Sequence, residues 1–286
     1  MASQRDIRRR IGAVRNIKQI TRAMQFVAAS KLKRAQDATL AARPYSDKID
    51  EVIADLAQVL SGDDHPLFTK REDGKRLIVF ITTDRGLAGP LNTNAIRFAL
   101  REIVEHGEAG GQLSLVTVGR KGRDAMRRAK LPVEAHFSGF GDRPTFADVT
   151  ALARLVTDDF LAGEYNRVDV IYTRFVSTLV QRPTMDQLLP MEPHEDTVGI
   201  PGNQFIFEPS PAAVLQQLLP RYIATRLYQA VLENTASEWS SKMIAMKNAT
   251  ESAEDLIDDL TLSYNKVRQA NITREMIEIA SGASAR

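Results

Sequence analysis

The sequence predicts an α/β protein in which long N- and C-terminal helices pair as an antiparallel coiled coil beside a central open α/β sheet domain. Three observations predict this. Residues 3–60 contain one glycine, Gly12, and one proline, Pro44. Residues 211–281 contain no glycine and, after Pro211, only Pro220. Residues 75–208 alternate short apolar runs with helical stretches. The predicted segments are a shaft helix over 1–62, a globular domain over 75–208, and a second shaft helix over 209–286 that pairs with the first. Helices this long cannot be covered by so small a middle, so they must bury their apolar stripes on each other or on another protein.

The first helix carries an apolar stripe through Ile7, Ile11, Val14, Ile17, Ile20/Met24 and Val27, in the three- and four-residue steps of a coiled-coil seam. Small residues follow: Ala28, Ala29, Ala35, Ala38 and Ala42. Pro44 removes a backbone donor and predicts a kink near Arg43. Large residues resume at Ile49, Val52, Ile53, Leu56 and Leu60, and Gly62 with Pro66 supplies a stop. The last helix opens on Ser210 as N-cap with Pro211 at its first position. Pro220 predicts a bend, and a seam follows through Trp239, Met243, Met246, Ala253, Leu256, Leu260, Val267 and Ala270. At 1.5 Å rise per residue the two helices would span about 85 and about 105 Å, so the second is expected to overhang the first.

In the middle, residues 76–83 (RLIVFITT) read as a buried parallel strand because the apolar run is continuous. A helix is expected from Leu91 to Glu105, a strand over 113–118, a basic helix around residues 120–130, and a strand over 133–137. A helix from Phe146 to Gly163 and a strand over 168–176 come next, with residues 179–189 expected to close a hairpin. This alternation implies an open, Rossmann-like sheet.

Composition narrows the function. The 286 residues are 43% hydrophobic and 26% charged, as in a globular chain, and no apolar run is long enough to span a bilayer. The start has basic residues with no apolar core behind them, which predicts no secretory signal. The absence of cysteine excludes disulfides and thiolate chemistry. Charge is uneven: residues 1–48 carry twelve Lys/Arg against three Asp/Glu, whereas residues 233–286 carry six against nine. The basic end suits nucleic acid, an anionic membrane or an acidic protein, or is a solvated face complementing the acidic end. Stacking aromatics for single-stranded nucleic acid are sparse, with only Phe26 in residues 1–44. Met24, Phe26 and Val27 form either core or an exposed contact face.

Two glycine loops follow strands, 82–94 (TTDRGLAGPLNTN) and 118–122 (VGRKG), where phosphate loops lie in α/β sheets. Neither matches a dinucleotide or P-loop pattern, so both read first as tight turns. His65, His106, His136 and His194 form no metal-binding spacing, and adjacent Asp258 and Asp259 point to different sides of a helix. No catalytic, cofactor or metal residues are assigned.

Residues 7–36 (IRRRIGAVRNIKQITRAMQFVAASKLKRAQ), 83–94 (TDRGLAGPLNTN) and 264–285 (YNKVRQANITREMIEIASGASA) resemble the signature segments of the ATP synthase gamma subunit, in the same order and spacing. The resemblance implies the central rotor shaft of a proton-translocating ATP synthase, bacterial type. Such a subunit is non-catalytic by itself and couples c-ring rotation to ATP synthesis at the beta subunits. The implied partners are a ring of alpha and beta subunits, the epsilon subunit and the membrane c-ring, with no nucleic acid and no membrane insertion. The implied location is peripheral, at the cytoplasmic face of the inner membrane. Residue by residue, the resemblance implies ring contacts at Arg268 and Gln269 with Thr273 and Glu275 nearby. It places Arg9, Arg10, Met24 and Lys31 toward acidic levers of the beta subunits. It makes Phe207 and Glu208, in the segment FIFEPS (205–210), a foot on the c-ring. Ala88 and Pro90 stand where the family often has Cys and Gly, and the regulatory Cys pair of photosynthetic members is absent. A bearing is expected to present short, weakly sticky side chains, as in the tip IEIASGASAR (277–286).

Overall fold

A computed structural model describes residues 3–59, 67–69, 74–108, 111–191 and 207–284. The elements are α1 (Gln4–Val59), β1 (Arg76–Ile81), α2 (Leu91–Glu108), β2 (Leu113–Val118), α3 (Arg120–Arg128), β3 (Val133–Phe137), α4 (Phe146–Leu161), β4 (Arg167–Phe175), β5 (Gln181–Leu189) and α5 (Pro211–Ser284). The expected element sequence is present throughout. Helices α1 and α5 run through Pro44 and Pro220 without interruption. The expected stop at Gly62 and Pro66 lies outside the described residues. Packing separates two compact units: Met1–Ala29 with Lys242–Arg286, and Ser30–Ser241.

In the larger unit, the strands lie in the order β3-β2-β1-β4-β5. The first four are parallel, and β5 pairs antiparallel with β4 as the expected hairpin. The unbroken apolar run of β1 follows from burial on both faces. Leu77, Val79 and Ile81 enter one core with α4, α5 and α1, whereas Ile78 and Phe80 enter a second with α2 and α3. The side chains alternate faces, so a strand covered on both sides favours apolar residues at every position. Beside small hydroxyl residues such as Ser114 and Thr117, the sheet buries an ion pair. Asp169 on β4 is fully buried and accepts from Arg76 Nε at 2.5 Å and from Arg167 Nε at 2.8 Å.

The same unit also pairs the second half of α1 with the first half of α5. Ser46 Oγ donates to Gln229 Oε1 at 3.0 Å, and Arg226 lies 3.6 Å from Asp50. Pairing there is antiparallel, because residue numbers rise on one helix as they fall on the other.

In the smaller unit the pairing is antiparallel as well. Gln4 Nε2 meets Tyr264 Oη at 3.1 Å, Lys18 Nζ meets Glu254 Oε1 at 2.7 Å, and the hydroxyls of Thr21 and Thr250 lie 2.8 Å apart. The seam differs from expectation. Ile17, Ile20 and Val27 are 52%, 59% and 52% exposed, and Leu256 and Ala270 also face outward. Among the buried or half-buried positions on α1, the series 7, 11, 14, 18, 21, 25 and 28 keeps steps of four and three without a break, with 4, 24 and 29 half-buried beside it. On α5 the matching series among the buried or half-buried positions is 243, 246, 250, 253, 257, 260, 264, 267 and 271, with 242, 244, 245, 249, 261 and 265 flanking it. Polar residues hold seam positions where their groups pair across it, as Lys18 and Thr21 do. Backbone geometry therefore outranks residue hydrophobicity in setting the seam.

Candidate partner interfaces

Among the described residues, the antiparallel register carries the end of α5 past the start of α1. Gln4, the first residue of α1, lies beside Tyr264, and α5 continues to Ser284, a run of about 30 Å at 1.5 Å per residue. Every described side chain from 272 to 281 is exposed, including the large apolar Ile272, Met276, Ile277 and Ile279. The tip is therefore not weakly sticky as expected. It combines small residues with exposed Ile277 and Ile279, which continue the exposed Ile272 and Met276 before it, and a patch of that kind calls for a covering surface.

The predicted contact residues fall into three groups. Arg268, Gln269, Thr273 and Glu275 are exposed on this overhang, following the half-buried seam residue Val267. The Thr273 hydroxyl turns back to donate to the Gln269 carbonyl at 2.9 Å. Arg9 and Arg10 are exposed on α1, and Arg9 is 3.9 Å from Asp6. Ser3 and these arginines hold the Asp6 carboxyl below its ordinary value, with the Ser3 hydroxyl the main cause. Met24 is half-buried one residue from the seam, and beside it Phe26, at 63%, and Val27 are exposed. These two are surface and not core.

Lys31 and the foot differ. Lys31 lies in the larger unit and is engaged within the chain: its Nζ contacts the Asp142 carboxylate and sits 4.4 Å from the centre of the Trp239 ring. Phe207 packs against the main core, while Glu208 is exposed. Phe205 and Ile206 lie outside the described residues.

The glycine loops resolve as packing devices. A Cβ at Gly119 would lie 2.3 Å from the Thr82 carbonyl, and one at Gly122 would lie 2.8 Å from Thr82 Oγ1. Only glycine lets the start of α3 approach the end of β1 this closely. The first N–H groups of α3 are occupied by the chain itself. Arg120 N donates to Asp84 Oδ1 at 3.0 Å, Lys121 N to the Thr83 carbonyl at 3.1 Å, and Gly122 N to Thr82 Oγ1 at 2.8 Å. Asp84 also accepts from Gly139 N at 2.9 Å, tying three loops together. An internal carboxylate thus takes the place a phosphate would need. Nothing in the glycine spacing signals that role for Asp84; it follows from the loops meeting.

Sequence reasoning also missed the polar contacts between the hairpin and α5. Ser237 and Ser240 donate to the carbonyls of Thr173 and Thr178 at 2.9 and 2.6 Å, and Ser241 donates to Gln181 Oε1 at 2.9 Å. A cluster of serines on an otherwise apolar helical face was the available signal.

A family model described as ATP synthase matches residues 3–285. An ATP synthase gamma chain from Dehalococcoides mccartyi is 47% identical over 287 residues, covering 100% of this chain and 99% of the relative. One from Roseiflexus castenholzii is 47% identical over 289 residues with the same coverage. Among solved structures, the Tetrahymena thermophila mitochondrial ATP synthase central stalk and c-ring contains a chain with 25% identity and a TM-score of 0.60, matching 80% of this chain and 99% of that one. A chain of the Euglena gracilis mitochondrial ATP synthase shares the fold at a TM-score of 0.68 and 20% identity, matching 99% of this chain and 94% of that one.

Proposed function

The chain belongs to the family of ATP synthase gamma chains, central rotor subunits, and we propose that its exposed helical faces are the surfaces through which rotation is transmitted. In this proposal the chain is non-catalytic by itself. The N–H groups that would have to cradle a nucleotide phosphate already have acceptors in the chain. The Tetrahymena and Euglena structures named above include a c-ring; a c-ring, alpha and beta subunits and an epsilon subunit are the proposed partners. The proposed location is peripheral, at the cytoplasmic face of the inner membrane, and no described helix is long and apolar enough to cross a membrane.

The observation that carries the proposal is the overhanging end of α5. Its apolar side chains are exposed in the isolated chain, and a surrounding ring would cover them. Arg9, Arg10, Arg268, Gln269, Thr273 and Glu275 supply polar contacts that must be made and released at each step. Met24 marks the edge of an apolar face, and Glu208 is the exposed end of the foot. Each beta subunit then meets a different side of the shaft, so rotation changes which conformation each one favours through differential contact energy. Lys31 enters in a second way, since an acidic partner must compete with Asp142 for it.

Arg268→Leu tests this. A charge-assisted hydrogen bond is worth about 1.5–3 kcal/mol, so ATP-driven turnover of the reconstituted complex should fall. The melting temperature of the isolated chain should not change, because the side chain is exposed. Unchanged turnover in a fully assembled complex would refute the contact.

A further inference from the structure

A cavity of about 260 Å³ lies within the larger unit, between the loops that follow β1, β2 and β3 and one face of α5. It opens at the carboxyl ends of the parallel strands, where open α/β sheets place ligands. Asn234 of α5 lines it, is only 5% exposed, and its amide has no hydrogen-bond partner among the described residues. Its amide atoms are not among the sealed, unbonded polar atoms of the described residues, so they open onto the cavity and leave two donors and an acceptor for a guest.

The remaining wall carries three carboxylates, Asp84, Asp142 and Glu238, each already engaged within the chain, beside the guanidinium groups of Arg85 and Arg120. Asp84 already accepts from Arg120 N and Gly139 N, one on each carboxylate oxygen. Asp142 is engaged by Lys31, and Glu238 has an interaction of its own within the chain. Arg85, exposed at the mouth, has no ion pair among the described residues. The Arg120 guanidinium lies 3.7 Å from Asp84, too far for a good hydrogen bond. The Arg85 guanidinium, the N–H groups of Arg120 left over from its loose ion pair with Asp84, and an amide can thus meet an acceptor-rich guest.

We propose that this crevice binds a small oxyanion, a free phosphate or the phosphate of a small ester, held by Asn234, Arg85 and Arg120. The donors are side chains, so the occupied start of α3 is no obstacle. The cavity takes a phosphate with several waters, at roughly 30 Å³ per water. The proposal concerns the middle of the chain and is independent of the rotor assignment.

The test uses the full-length chain with ¹⁵N-labelled asparagine, titrated with inorganic phosphate against sodium chloride at matched ionic strength. A saturable shift of one side-chain amide signal, lost in Asn234→Asp, is expected with phosphate only. Arg85→Gln should weaken phosphate binding roughly tenfold, as loss of one charged contact does. That position is exposed, so the variant should fold even if Asn234→Asp does not. Adenosine monophosphate that competes with phosphate would identify an ester as the guest, and failure to compete would identify the free anion. Absence of a saturable shift, or phosphate binding by Arg85→Gln as tight as by the parent, would overturn the proposal.

Discussion

At the residue scale, two buried carboxylates have opposite consequences. Asp169 is buried between two guanidinium groups, and Arg76 has only a 10% exposed side chain. Removing the anion leaves that cation buried without compensation. Asp169→Ala is therefore expected to cost about 3–5 kcal/mol in urea unfolding, and Arg76→Met combined with Asp169→Leu should recover most of it. Glu233 on α5 is the reverse case. Burial, with Asp186 adding repulsion, pushes its carboxyl above the ordinary value, against the opposing pull of Arg174, 3.9 Å away, and of Arg43. A raised folded-state pKa means that ionising Glu233 costs folded stability once the pH exceeds that pKa. The cost vanishes when the pH falls below the unfolded carboxyl range, where both states are protonated. Glu233→Gln should thus melt higher than the parent near neutral pH, with the gap closing on acidification. A gap that widens in acid would contradict this.

The long helices show how a seam and a surface are divided at the element scale. Ala28 occupies a seam position and is fully buried, whereas Phe26, two residues earlier, is 63% exposed. Ala28→Leu must overpack a closed interface and is expected to destabilise the isolated chain by about 1–3 kcal/mol. Phe26→Ala removes a larger side chain but should leave isolated stability within about 0.5 kcal/mol. Its effect should appear only in the complex, as weaker assembly. Thermal unfolding of the free variants alongside reconstitution yields separates the two behaviours. A large loss of free-chain stability in Phe26→Ala would mean that this face is core after all.

For the whole molecule, the overhanging end of α5 and the outward face of α1 make stability dependent on company. Binding of alpha and beta subunits to the folded chain alone should raise its melting temperature by mass action, and an unchanged value in the complex would refute this. Met24→Lys places a cation at the edge of the exposed face. Opposite an acidic partner it would add about 1–3 kcal/mol to one rotary state. Excess binding in a state that must be left slows the next step, so protons pumped per ATP hydrolysed should drop at equal assembly. A normal ratio would remove Met24 from the interface.

What the sequence determined by itself was local and periodic. Runs without glycine, doubly buried strands and the β4–β5 hairpin follow from side-chain period and turn residues, and strands over 113–118 and 133–137 fall where expected. The family was legible too, because its three signature segments are long. Tertiary structure decided what depends on pairing between distant residues. The seam passes through Lys18 and Thr21 because Glu254 and Thr250 face them, so the exposed Ile17, Ile20 and Val27 become surface although their hydrophobicity suggested core. Asp84 closes the start of α3 only because three strands end together. Lys31 looks like a free surface cation until Asp142 and Trp239 meet it. Hydrophobicity along a chain reports which residues favour burial, but the partner across the gap decides which of them are buried.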